Sequence, residues 1–131
     1  MKKRHILFVC TEGRQRSPTA AEIISSSPAY SKKYEAKAVG LSELAVVHIS
    51  KAAVQWADLI IVMNEKDDHH KSILLQKFPF IEKEKKSIID FNIRDIYWKN
   101  EPELQELIQK KLRKYLHEKV NKKSNTAAKK Y

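Results

Sequence analysis

The sequence predicts an α/β fold, a four-stranded parallel sheet with helices packed on both faces. Three observations carry that expectation. The runs Ile6-Leu7-Phe8-Val9 and Leu59-Ile60-Ile61-Val62-Met63 are apolar at every position, as in strands buried on both faces. The segments 34–39 and 87–90 read as two further strands of the same sheet. Segments with helical signals separate them, so strand and helix alternate four times, which calls for parallel pairing through right-handed crossovers.

The first run leads into Cys10-Thr11-Glu12-Gly13-Arg14-Gln15-Arg16-Ser17-Pro18. Ser17 reads as a helix N-cap with Pro18 at the first helical position, which leaves a six-residue loop, 11–16, between strand and helix. That helix turns Ala20, Ala21, Ile23 and Ile24 inward. It ends in Ser25-Ser26-Ser27, because Pro28 disfavours the helical region for the residue before it. Segment 34–39 alternates apolar and charged side chains, the pattern of an edge strand with one solvated face, and Gly40 closes it. Ser50 is placed to cap a short helix through Trp56, with Ala52, Ala53 and Trp56 facing in. After the second apolar run, Asn64 reads as an N-cap with Glu65, Asp67 and Asp68 in the first turn, where the helix dipole favours anions. That helix is expected to stop before Phe78-Pro79.

The fourth strand, 87–90, delivers a polar and aromatic loop from Asp90 to Trp98. Pro102 then opens an amphipathic helix whose apolar stripe is Leu104, Leu107, Ile108, Leu112, Tyr115 and Leu116. Beyond Val120 the apolar period is lost. The expected organisation is one domain, 1–120, followed by a basic, disordered tail, 121–131.

A chain of 131 residues, 42% hydrophobic, is long enough for one core. Its formal net charge of +10 favours anionic partners: phosphopeptides, phosphorylated metabolites, nucleic acid or an acidic surface. Much of the excess lies on the last helix and the tail, so it says little about a pocket. The single cysteine excludes an intrachain disulfide and fits a reducing compartment. Met1-Lys2-Lys3-Arg4 precedes an apolar run too short for a secretory h-region, and no stretch has the length of a membrane span. A soluble, cytoplasmic protein without membrane association is expected. The sequence does not set an oligomeric state.

The loop at Cys10 carries the chemistry. A tight turn running into a helix N-terminus directs several backbone N–H groups at one centre, where the dipole is also positive and an anion such as phosphate fits. In that field, near Arg16, the thiolate form of Cys10 is favoured. Arg16 can fork two hydrogen bonds onto phosphate oxygens. The Ser17 hydroxyl can donate to the sulfur, and Gly13 is free to take a positive φ. The alternative is a small buried hydrophobe at a strand end. In α/β sheets ligands bind beyond the carboxyl ends of the strands, and the loops after Cys10 and Asp90 both emerge there.

Cys10, five intervening residues and Arg16-Ser17-Pro18, placed after a first strand, resemble the phosphate loop of the low-molecular-weight protein tyrosine phosphatases. The resemblance runs from about Ile6 to about Leu116. It is strongest to the short branch of predicted tyrosine phosphatases, through Trp56-Ala57-Asp58, Asp95-Ile96-Tyr97 and Pro102-Glu103-Leu104. It implies a cysteine-dependent phosphomonoester hydrolase, most naturally a protein tyrosine phosphatase, working through a cysteinyl-phosphate intermediate without metal or other cofactor. It implies Cys10 as nucleophile, Asp95 as general acid, and a phosphate site formed by Thr11, Glu12, Gly13, Arg14, Gln15, Arg16 and Ser17. Where the family usually has Gly, Asn and a second Cys in the loop, this chain has Glu12, Gly13 and Gln15; the Glu12 carboxylate is expected to point to solvent. The substrate would be a phosphotyrosine protein or a small aryl phosphate.

Some residues keep two readings. Tyr97 and Trp98 either wall a slot for a substrate ring or cover the core. Asp90 either competes with Asp95 as acid or braces the loop through backbone N–H groups. Arg14 contacts substrate or is solvated, and His48 lies near the site or caps a turn. His69 and His70 are adjacent, so on a helix their rings point apart, which disfavours a shared metal. Among rival functions, arsenate reduction on this scaffold relays oxidation through further cysteines, which this chain lacks. A phosphocysteine carrier domain would not need Arg16 and Asp95. A non-catalytic phosphate-binding module or a basic nucleic-acid-binding protein remains as the alternative, though no nucleic-acid motif is present.

Overall fold

The structure, a computed structural model, describes residues 2–117; the tail expected at 121–131 lies outside the described residues. Strand β1 (Arg4–Cys10) is buried from Ile6 onward, as its unbroken apolar run requires. Its even residues Ile6, Phe8 and Cys10 enter one core layer, and Leu7 and Val9 enter the other. Each such side chain contributes roughly 1.5–3 kcal/mol by leaving water. Strands β2 (Tyr34–Gly40), β3 (Leu59–Val62) and β4 (Ser87–Asp90) complete a sheet of order β2-β1-β3-β4, parallel throughout. The fold class expected from the sequence is the one observed, with β2 on an edge.

Helices α1 (Arg16–Ser26) and α6 (Pro102–Leu112) cover the first layer. Leu104, Ile108 and Leu112 of α6 are buried at four-residue spacing, and a π turn, Arg113–His117, carries the stripe on to Leu116. A short α2 (Pro28–Ser31) follows α1. On the other face lie α3 (Lys51–Trp56), α4 (His70–Lys77) and α5 (Phe80–Lys83).

Ser50 caps α3 as expected, its Oγ accepting from Ala53 N–H at 3.1 Å. Ala53 and Trp56 of α3 pack against the core as expected, with Trp56 stacked on His5 at 4.2 Å, but Val54 is the residue fully buried and Ala52 is exposed. Two helix starts also differ. The first begins at Arg16, with Gln15 at the N-cap position and no side-chain cap, so Ser17 lies inside the first turn. The helix after β3 begins at His70, not after Asn64. Asn64 Oδ1 does accept from Asp67 N–H at 2.7 Å, the bond an N-cap makes, but the chain then turns and passes His69 at φ +56°. The carboxylate of Glu65 caps α4 from outside, accepting from Ser72 N–H at 2.9 Å.

The register sets Cys10 beside Gly40 and Asp90 beside Val62. The carboxyl ends of all four strands therefore share one sheet edge. The loops that leave them can meet.

Candidate active site

Cys10 ends β1 and is only 3% exposed. The backbone of residues 40–47 backs the loop that follows: Leu41, Ser42 and Val46 donate N–H bonds to the carbonyls of Cys10, Thr11 and Glu12 at 3.0, 2.8 and 3.0 Å. A trans peptide sets each N–H opposite to the preceding C=O. With three successive carbonyls turned outward, the N–H groups of Thr11, Glu12 and Gly13 turn to the other side. Gly13 shows the result, its N–H donating to Cys10 Sγ at 3.2 Å. Gly13 takes φ +66°, where other residues are strained.

Arg16 opens α1 and is only 1% exposed. Its Nη1 donates to Asp68 Oδ2 and to the Ile93 carbonyl, both at 2.8 Å. Nη2 lies 3.6 Å from Asp95 Oδ2. Among the described residues both hydrogen bonds of the guanidinium fall on Nη1, so the Nε–Nη2 edge, with Asp95 beside Nη2, is the fork open to an anion. Two segments thus converge on one cation: the turn after β3 through Asp68, and the segment after β4 through Ile93 and Asp95.

The turn after β3 also reaches the start of the loop that follows Cys10. Asn64 N–H donates to His70 Nδ1 at 3.0 Å, and His70 Nε2 lies 2.9 Å from Thr11 Oγ1. Burial pushes the His70 pKa down to about 4; the Arg16 guanidinium adds to this, and Asp68 and Glu65 oppose it.

The two candidate aspartates occupy different settings. Asp90 accepts from Asn92 N–H at 2.8 Å and from Glu65 N–H at 3.4 Å, so it braces the loop. Asp95 is half-exposed beside Arg16. The segment that carries it is pinned to α1: Asn100 N–H donates to Thr19 Oγ1 at 2.9 Å, and Lys99 pairs with Glu22 at 2.8 Å.

Thr11, Glu12, Gln15, Asp95, Ile96, Tyr97 and Trp98 line a cavity of about 410 Å³ beside the loop. Glu12 is half-exposed and paired with Arg14 at 3.2 Å, but it lines this cavity rather than pointing wholly to solvent as expected from the sequence. Tyr97 packs against the core and also lines the cavity. Trp98 is 76% exposed and covers no core. The Ser17 hydroxyl is buried without a hydrogen-bond partner among the described residues, so no bond to Cys10 Sγ is formed. His48 braces a turn, its Nδ1 donating to the Ser42 carbonyl at 3.0 Å. Among the described residues no group of three or more His, Cys, Asp or Glu side chains is placed to hold a metal, and no helix is long and apolar enough to cross a membrane.

Arg16 and Asp95 therefore come together, at the far end of the loop that Cys10 begins. Sequence reasoning missed Asp68, His70 and the Ile93 carbonyl. The signal that could have found the first two was position, since both follow the carboxyl end of a central strand, where ligands bind in such sheets.

No family model matches the chain, and no curated protein matches it in sequence. Solved structures do match. YwlE arginine phosphatase from Geobacillus stearothermophilus is 23% identical with a TM-score of 0.62, over 90% of this chain and 96% of that one. YfkJ from Bacillus subtilis is 18% identical with a TM-score of 0.71, over 95% and 98%. SP-PTP, the low molecular weight protein tyrosine phosphatase from Streptococcus pyogenes, is 18% identical with a TM-score of 0.69, over 87% and 91%. The fold of this chain is that of the low molecular weight protein tyrosine phosphatases.

Proposed function

We propose that the chain is a cysteine-dependent phosphomonoester hydrolase, acting on phosphotyrosine proteins or small aryl phosphates through a cysteinyl-phosphate intermediate. One observation carries the reading. Cys10 Sγ receives an inward loop amide, while Arg16 at the other end of the same loop is buried, braced on Nη1 and adjacent to Asp95.

In this mechanism the Cys10 thiolate attacks phosphorus in line with the leaving oxygen. Loop amides and the Nε–Nη2 edge of Arg16 hold the equatorial oxygens as the P–O bond breaks and the S–P bond forms. Asp95 gives its proton to the leaving oxygen. It then takes a proton from the water that attacks phosphorus and releases the Cys10 thiolate. Asp90, committed to backbone N–H groups, keeps the loop in place.

A second substrate class is favoured by one feature of the cavity: two carboxylates, Glu12 and Asp95, line it. A phosphoarginine side chain presents guanidinium N–H groups that both could accept, with the substrate replacing Arg14 on Glu12. One matching structure is described as an arginine phosphatase.

The test is turnover of an aryl phosphate by wild type and by Cys10→Ser, beside hydrolysis of phosphotyrosine and phosphoarginine peptides. Loss of turnover in the serine variant with retained phosphate binding supports the mechanism. The ratio of the two peptide rates assigns the substrate. Steep weakening of nucleic-acid binding with salt, without any turnover, would favour the basic binding module instead.

A further inference from the structure

Thr11 and His70 meet at the rim of the cavity although 59 residues separate them. The senses of the hydrogen bonds on the His70 ring can be worked out. A backbone N–H can only donate, so the bond from Asn64 makes Nδ1 the acceptor and leaves it without a proton. Burial keeps the ring neutral at ordinary pH. A neutral ring with a bare Nδ1 carries its proton on Nε2. Nε2–H therefore donates to Thr11 Oγ1 at 2.9 Å.

This settles what the threonine hydroxyl can do. It has one proton and two lone pairs, and His70 occupies a lone pair. Its own proton must go to another acceptor. Thr11 follows Cys10 in the chain, is half-buried and lines the cavity with Gln15 and Asp95. A phosphoryl group offers only acceptor oxygens there. The chain of bonds runs one way: Asn64 to His70, His70 to Thr11, and Thr11 outward.

We propose that His70 sets Thr11 as a dedicated hydrogen-bond donor to a phosphoryl oxygen bound against Cys10, which makes Thr11 a substrate-binding residue and His70 its positioning residue. This rests on the phosphatase reading above. A hydroxyl already oriented as a donor needs no reorganisation when the anion arrives. The loop amides and Arg16 are separate donors, so the contribution of Thr11 can be measured against a working site.

The experiment measures competitive inhibition of aryl phosphate turnover by inorganic phosphate in the full chain. Thr11→Val should raise the inhibition constant and KM by about tenfold, with a smaller change in kcat. Thr11→Ser, which keeps the hydroxyl, should restore phosphate affinity. His70→Phe should raise the inhibition constant, and Thr11→Val/His70→Phe should be no worse than the larger single effect, since both break one chain. A merely structural His70 would lower Tm and the active fraction while leaving the inhibition constant alone. A wild-type inhibition constant in Thr11→Val, or single effects that multiply in the double variant, overturns the proposal while the phosphatase reading stands. If His70→Phe does not fold, the Thr11 pair decides alone. A wild-type chain that hydrolyses no phosphate ester removes the phosphatase reading and this inference together.

Discussion

Gly13 and Gly40, the only two glycines of the chain, pack backbone against backbone at the loop that follows Cys10. A Cβ on Gly40 would lie 2.6 Å from the Glu12 carbonyl carbon and 2.7 Å from Thr11 O. Neither neighbour is a flexible side-chain end, so the loop itself would have to move. Gly40→Ala is expected to cost about 1–3 kcal/mol and to lower phosphate affinity together with Tm. Thermal melting with phosphate titration checks this, and an unchanged Tm would mean that the loop is not held by that contact.

Arg16→Lys is expected to reduce kcat on the order of 10²–10³-fold, since one ammonium cannot both hold Asp68 and Ile93 and fork onto phosphate. Asp68→Asn should also weaken catalysis, because it replaces the anionic partner that orients Nη1. Steady-state kinetics on an aryl phosphate decide. Near-wild-type rates in the lysine variant would show that the guanidinium serves packing alone.

The acid assignment separates by leaving group. Asp95→Asn should depress kcat/KM on the order of 10²–10⁴-fold for phosphotyrosine and much less for esters of acidic phenols, which depart without a proton. Asp90→Asn should lower Tm and affect all esters alike, because it loses the bonds from Asn92 and Glu65. The reverse pattern would move the acid role to Asp90.

These aspartates show how far the sequence could be read. The buried strands were legible because a wholly apolar run has few alternatives, and Cys10 and Arg16 followed from strand, loop and helix in series. The bracing role of Asp90 was legible as one of two readings. The start of α4 was not. Asn64 forms the capping bond to Asp67, yet tertiary bonds decide the path: its backbone N–H is taken by His70 and Glu65 supplies the cap. The partners of Arg16 were hidden for the same reason, as Asp68 and Ile93 come to it from turns with no local signal. Ser17 missed the cap because the helix starts two residues earlier than expected, at Arg16, whose side chain is buried against Asp68 and Ile93.

His70 makes stability depend on pH with a definite sign. Its pKa is about 4 folded, against 6.5 for the ordinary side chain. Between those values the unfolded chain binds the extra proton, so the contribution is present above about pH 6.5 and is lost as pH falls toward 4. The loss amounts to about 3 kcal/mol at most. Urea midpoints at pH 7 and pH 4.5 should fall further apart in wild type than in His70→Phe. Equal spacing in both would show that another group drives acid unfolding.

The central claim is that phosphate passes through Cys10. The direct measurement is acid quenching of Asp95→Asn during turnover of an acidic aryl phosphate, followed by peptide mass analysis. Formation of the intermediate needs little help from an acid there, whereas its hydrolysis lacks the carboxylate base, so phosphoenzyme should accumulate. One phosphoryl group on the peptide containing Cys10, absent in Cys10→Ser, is the predicted result. Continued turnover by Cys10→Ser, or a phosphoryl group on any other residue, would contradict it.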